Sequence, residues 1–211
     1  MSIQAHRIEV ESPFGVTIRN PFFTHEPVAD KLMILLPGRG YTNDHPVMHY
    51  VAKLGMQHGY DVLGVQYGFQ VSGADLTPDK LPLVQQDVWS TVKQALQRPY
   101  QRVVIVGKSM GTPLAVEVAK TLPPEKVSLI LLTPIGDAMQ DVGNLPTLTV
   151  IGTSDAAYSA AEVKAFEGSA TVTWRVFSGL GHSLELTDDW QGSLKALGEI
   201  IAACEAFLRE D

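Results

Sequence analysis

The sequence predicts an α/β domain in which a mostly parallel sheet is covered on both faces by helices. Two observations carry this. Short, β-branched apolar runs such as Lys31 to Leu36, Arg102 to Val106 and Val127 to Leu132 lack the alternation of a half-exposed strand. Strands buried on both faces read that way. Between them lie stretches of helical spacing, and strands separated by helices require crossover connections and parallel pairing.

In chain order, His6 to Glu11 and Val16 to Asn20 alternate polar and apolar residues around Ser12-Pro13 and predict an opening hairpin. The strand Lys31 to Leu36 is ended by Pro37-Gly38. Asn43 or Asp44 is expected to cap a helix with Pro46 in its first turn, running to about His58. Asp61 to Val65 is another short strand. Thr77-Pro78-Asp79 starts a second helix, with Leu81, Val84, Val88, Val92 and Ala95 or Leu96 as its apolar stripe until Pro99. Arg102 to Val106 is a strand, followed by Gly107 to Gly111 and a helix to about Leu122. Val127 to Leu132 and Thr147 to Gly152 are strands. Tyr158 to Glu167 is a helix closed by Gly168, and Thr171 to Phe177 is the last strand. The final helix takes Thr187 or Asp188 as its cap and carries a stripe of Trp190, Leu194, Leu197, Ile201, Cys204 and Leu208.

The 211 residues, without repeat, low-complexity tract or linker, suit a single domain over 1–211 with one core. An apolar content of 45 % and a charged content of 18 % are those of a globular chain. The net charge of −7 is scattered and disfavours nucleic acid or an anionic membrane as partner. Cys204 is the single cysteine, so no intrachain disulfide and no thiolate metal cluster can form. Met1 to Ser12 is charged and has no apolar run of the secretory kind, and Val127 to Ile135 is too short to span a bilayer. The expected compartment is the cytoplasm.

In such a sheet, reactive groups sit on loops just beyond the carboxyl ends of the strands. That rule selects Val103-Val104-Ile105-Val106-Gly107-Lys108-Ser109-Met110-Gly111: a buried strand, then G-x-S-x-G, then a helix. A sharp strand-to-helix turn lifts Ser109 above the sheet, and Gly107 and Gly111 remove side chains that would collide with neighbouring backbone. The helix start offers amide donors for an oxyanion. A phosphate-binding reading of Gly107-Lys108-Ser109 fails, because Arg102 stands where that motif needs a glycine.

A serine hydroxyl needs a base, and the base needs a group to fix its tautomer. Asp155 follows the strand Thr147 to Gly152, and His182 follows the strand Thr171 to Phe177 through Ser178-Gly179-Leu180-Gly181. Both pass the same rule. Asp137, in the loop after Val127 to Leu132, is a rival for the acid. His6, His25, His45, His49 and His58 all precede Ser109, and only His182 follows it.

On the elbow Gly107 to Gly111, the stretch Gly152 to Asp155 and Gly181-His182, the chain resembles the α/β-hydrolases over nearly its whole length. The resemblance implies an eight-stranded sheet, the chain order serine, acid, histidine, and ester- or amide-cleaving chemistry by way of an acyl-enzyme. It also implies a second oxyanion donor in Pro37-Gly38-Arg39-Gly40-Tyr41. The expected donors are the amide of Met110 with that of Arg39, or of Gly40 if the turn is shifted.

Relatives with lids insert them where this chain has only Thr133 to Pro146, too short for a cap domain. The pocket walls are then expected from Gly38 to Met48 and Tyr67 to Leu76, with Tyr41, Tyr67, Phe69 and Val71 as lining, and the substrate is expected to be a small molecule with a short acyl group. Arg39 beside the hole either favours a carboxylate-bearing substrate or faces solvent. His45 and His49 stand four apart on the first predicted helix but lack a third ligand, so no metal is expected and no cofactor either. Cys204 belongs to the core stripe, and Lys108 has no role in the motif. A thioesterase or acyltransferase with the same triad, and a non-catalytic binding protein on the same fold, remain alternatives.

Overall fold

The computed structural model describes residues 2–210; Met1 and Asp211, the ends of the expected domain, lie outside the described residues. The chain opens with a long hairpin, β1 (Ser2–Ser12) and β2 (Val16–Glu26), paired antiparallel along its full length. It continues through β3 (Lys31–Leu36), α1 (Pro46–Gln57), β4 (Tyr60–Gly64), a short α2 (Gly68–Ser72) and α3 (Leu81–Ala95). Then come β5 (Arg102–Lys108), α4 (Gly111–Ala119), β6 (Val127–Leu132), β7 (Thr147–Gly152), α5 (Ala160–Ala165), β8 (Val172–Phe177) and α6 (Trp190–Glu210). The eight strands form one sheet in the order β1-β2-β4-β3-β5-β6-β7-β8. The β1–β2 and β2–β4 pairings are antiparallel, and β4, β3, β5, β6, β7 and β8 run parallel to one another.

Alternation along the central strands divides the core into two layers. Leu32, Ile34, Leu36, Val103, Ile105, Leu129 and Leu131 face one side, where α3 and α4 pack. Met33, Leu35, Val104, Val106, Ile130 and Leu132 face the other, where Val47, Met48 and Val51 of α1 meet Ile200, Cys204 and Leu208 of α6. Full burial of each such side chain is worth about 1.5–3 kcal/mol, which is why these strands carry almost nothing polar.

The departures from expectation are local. α1 begins one residue late, with His45 rather than Asn43 or Asp44 at its N-cap. Asn43 instead donates to the Val65 carbonyl, and His45 Nδ1 accepts from the Thr42 amide at 3.0 Å. α5 shrinks to six residues capped by Ser159, whose hydroxyl accepts from the Glu162 amide. The first turn of α6 is capped by Asp189, not Thr187 or Asp188: its Oδ1 accepts from the Gly192 amide. The α6 stripe is buried only in its second half. Trp190 and Leu194 are 70 % and 60 % exposed, whereas Ile200, Cys204 and Leu208 lie in the layer shared with α1. Leu81 is likewise exposed at the start of α3. The Thr133–Pro146 connection forms turns and no helix. Among the described residues no helix is long and apolar enough to cross a membrane.

Candidate active site

Four strand ends converge on one point. At the end of β5, Ser109 sits with φ 50°, a left-handed conformation that L residues adopt at a cost. Its amide donates to the Leu132 carbonyl, and its carbonyl accepts from the amide and hydroxyl of Thr112. The glycines on either side are sterically required. A Cβ at Gly107 would lie 2.6 Å from the Gly111 carbonyl oxygen, and one at Gly111 would run into the Leu36 carbonyl. Substituents are excluded here because α4 starts directly against the end of β3.

His182 Nε2 lies 2.7 Å from Ser109 Oγ, and His182 Nδ1 lies 2.8 Å from Asp155 Oδ2. With a neutral imidazole, Nδ1–H donates to the carboxylate and the serine hydroxyl donates to Nε2. Asp155 is buried, and its second oxygen accepts from the Ala157 amide, so both oxygens are held while the imidazole stays half exposed. The loop carrying His182 is tied to the end of β7: the Ser154 amide donates to the Leu180 carbonyl, and the Gly179 amide donates to Thr153 Oγ1. A Cβ at Gly152 would collide with the Leu180 carbonyl, so this approach also depends on a glycine. Asp137 is exposed on the loop after β6 and takes no part in these contacts.

From the end of β3, the Gly38 backbone lies against Ser109: a Cβ built at Gly38 would stand 3.4 Å from Ser109 Cβ. The turn is closed by the Gly38 amide donating to the Tyr41 carbonyl. Arg39 and Gly40 follow, both exposed, and Met110 follows Ser109. Among the described residues, the amides of Arg39, Gly40 and Met110 donate to no backbone acceptor.

Two residues expected to wall the pocket do something else. Tyr67 is fully buried, stacked on Phe69 with centroids 5.9 Å apart, and its hydroxyl donates to the Pro37 carbonyl at 2.9 Å. Burial raises the Tyr67 phenol well above its ordinary value. Phe69 is buried in the same core layer. The short helix α2 turns both inward, beneath the surface they were expected to line. Their neighbour Gln70 reaches the site instead, its amide nitrogen donating to the Gly38 and Arg39 carbonyls at 2.9 and 3.0 Å. A cavity of about 180 Å³ remains between the two predicted wall segments, lined by Thr42, Asn43, Gln70 and Val71 among others. A second, of about 170 Å³, lies between α3 and α4 with Met110 at its edge. Tyr41 is half-buried, its hydroxyl accepting from the Val47 amide; burial, the larger influence, raises its pKa.

The sequence reading also passed over Lys108. Its side chain is buried, and Nζ donates to Thr133 Oγ1 and to the His182 carbonyl, each at 2.7 Å. A charged residue closing an otherwise apolar, doubly buried strand was the available signal, because a buried ammonium must find partners. Of the remaining candidates, His45 stands before α1 rather than on it. Cys204 is buried as expected, and burial lifts its thiol to about 12.

The family model described as an alpha/beta hydrolase domain matches residues 29–209. The chain belongs to the α/β-hydrolase family. Solved structures agree on this fold at low sequence identity. The Pyrococcus furiosus esterase Pf2001 is 17 % identical with a TM-score of 0.72, covering 99 % of this chain and 93 % of its own. A Xanthomonas campestris α/β serine hydrolase described as without lid is 17 % identical with a TM-score of 0.70, at 98 % and 94 % coverage. Dienelactone hydrolase from Anabaena variabilis is 18 % identical with a TM-score of 0.73, at 99 % and 98 % coverage. No curated protein sequence matches the chain. Among the described residues no cap domain is inserted after β6, where the Thr133–Pro146 connection forms only turns.

Proposed function

We propose that this α/β-hydrolase cleaves carboxylic esters of small or short-chain acyl groups through an acyl-enzyme on Ser109. The observation that carries the reading is the unbroken chain of contacts from Ser109 Oγ through His182 to the buried Asp155. Ser109 Oγ attacks the carbonyl carbon while its proton passes to His182 Nε2. Asp155 holds the tautomer and steadies the imidazolium. The amides of Met110 and of Arg39, or Gly40, receive the oxyanion. Collapse breaks the ester bond, and the proton on Nε2 leaves with the alcohol. Water then repeats the sequence on the acyl-enzyme and frees Ser109.

A compact substrate is supported by the Thr133–Pro146 connection, which forms turns and no helix that could wall a deep acyl site. Tyr67 and Phe69 serve from beneath. A cytoplasmic setting is supported by the lone, buried Cys204. The test is covalent labelling with a fluorophosphonate probe, followed by peptide mass mapping and p-nitrophenyl acetate hydrolysis. The expected result is one adduct, on Ser109, lost in Ser109→Ala. Labelling that survives that substitution overturns the nucleophile. A chain that neither labels nor hydrolyses is a binding protein on this fold. Faster turnover with thioesters or with added acyl acceptors would assign the same triad to a thioesterase or an acyltransferase.

A further inference from the structure

Lys108 is an unusual residue for its place. It ends the central strand β5, where both faces are buried, and its side chain is almost wholly removed from water. A leucine or methionine would fill that space without bringing a charge out of water. The ammonium is instead held by groups from three other strand ends. Thr133 Oγ1 follows β6, the His182 carbonyl lies in the loop after β8, and the Tyr41 ring, 4.9 Å from Nζ, belongs to the loop after β3. Thr133 is itself left-handed at φ 49°, a conformation retained only where surrounding contacts over-determine it. Asp155, after β7, is the charged group acting on the ammonium, and Glu185 acts on Tyr41.

We propose that Lys108 is a positioning residue for the reaction, its ammonium clamping the His182 loop to the strand that carries Ser109. The inference rests on the function proposed above. Its geometric basis is direct: the residue preceding the nucleophile grips the carbonyl of the residue that would act as base. No other side chain of the described residues donates to that carbonyl. Hydrogen bonds from an ionised donor are roughly twice as strong as neutral ones, so the clamp is firm only while Lys108 is charged. Burial lowers the pKa of Lys108 to about 8, with Asp155 opposing that shift. Activity therefore acquires an alkaline limb from a residue that never touches substrate. Tyr41, raised above its ordinary 10, and Cys204, at about 12, titrate too high to produce it.

The test compares wild type, Lys108→Met and Thr133→Val by p-nitrophenyl acetate kinetics from pH 6 to pH 10, with fluorophosphonate labelling in parallel. For Lys108→Met we expect kcat to fall about 10²-fold with KM little changed, the penalty of a base displaced by about 1 Å. Its alkaline limb should disappear. Thr133→Val removes one acceptor of the ammonium and should move the limb to lower pH. Wild-type kcat in Lys108→Met, or a limb near pH 8 that persists in it, overturns the role of Lys108. If circular dichroism shows Lys108→Met unfolded, an unmoved limb in Thr133→Val overturns it instead. A wild-type chain that is unreactive throughout overturns the proposed function and this role together. A reactive wild type with unchanged variants overturns this role alone.

Discussion

The buried ammonium of Lys108 makes stability depend on pH in a direction opposite to activity. In the unfolded chain Lys108 titrates near its ordinary 10.5; in the fold, desolvation brings it to about 8. Between those values the unfolded chain binds more protons at this residue than the folded one, so stability rises with pH across the window. The full gain, present above 10.5 and lost as pH falls through about 8, is on the order of 3 kcal/mol at 1.36 kcal/mol per pKa unit. Most of it, about 2–3 kcal/mol, accrues between pH 7 and pH 10. Phenols and the thiol of Cys204 also titrate in alkali, so the readout must be differential: urea unfolding of wild type and Lys108→Met at pH 7, 8, 9 and 10. The wild type should gain on the variant by that amount, whichever is more stable at pH 7. A constant difference across the range would show that Lys108 is not a desolvated cation, and the reasoning would fail.

Asp155→Asn should lower kcat by about 10³- to 10⁴-fold, since the amide cannot hold the imidazole in the tautomer that receives the serine proton. Asp137→Asn, on an exposed loop, should leave steady-state kinetics unchanged; a reversal of the two would move the acid to the loop after β6. Gly111→Ala should destabilise by more than about 3 kcal/mol, because the new methyl meets the Leu36 backbone, which cannot retreat without displacing β3. A wild-type melting curve would contradict that packing. Across p-nitrophenyl esters of rising chain length, kcat/KM should level off after a few carbons. With only turns between β6 and β7, no helical cap walls a long acyl chain that would otherwise add about 0.8 kcal/mol per methylene. Continued rise into long-chain esters would reveal a deep acyl site.

The geometry of the candidate site was legible in the sequence where its determinants are local. Ser109, Asp155 and His182 each follow a strand within a few residues, and the glycines beside them mark close backbone approaches that have no side-chain substitute. Features set by distant contacts did not show. Lys108 reads as a filler in its motif because its partners, Thr133 and the His182 carbonyl, lie 25 and 74 residues away. Five residues of α2 are too few for a helical period to declare itself, so Tyr67 and Phe69 passed for surface aromatics when the helix turns them under the loop that Gln70 grips. The α6 stripe keeps its period past the point where there is anything to pack against, because periodicity records a face and not the extent of the surface opposing it.

The left-handed backbone at Ser109 sets the stability of the fold against the side chain it carries. A side chain in that conformation costs the fold of order 1–2 kcal/mol, and a glycine at position 109 would relieve it. At this elbow the preference of the backbone and the requirement of the proposed chemistry pull apart. A hydroxyl at this position is one that backbone energetics alone would not choose, and its return is the nucleophile of the proposed reaction.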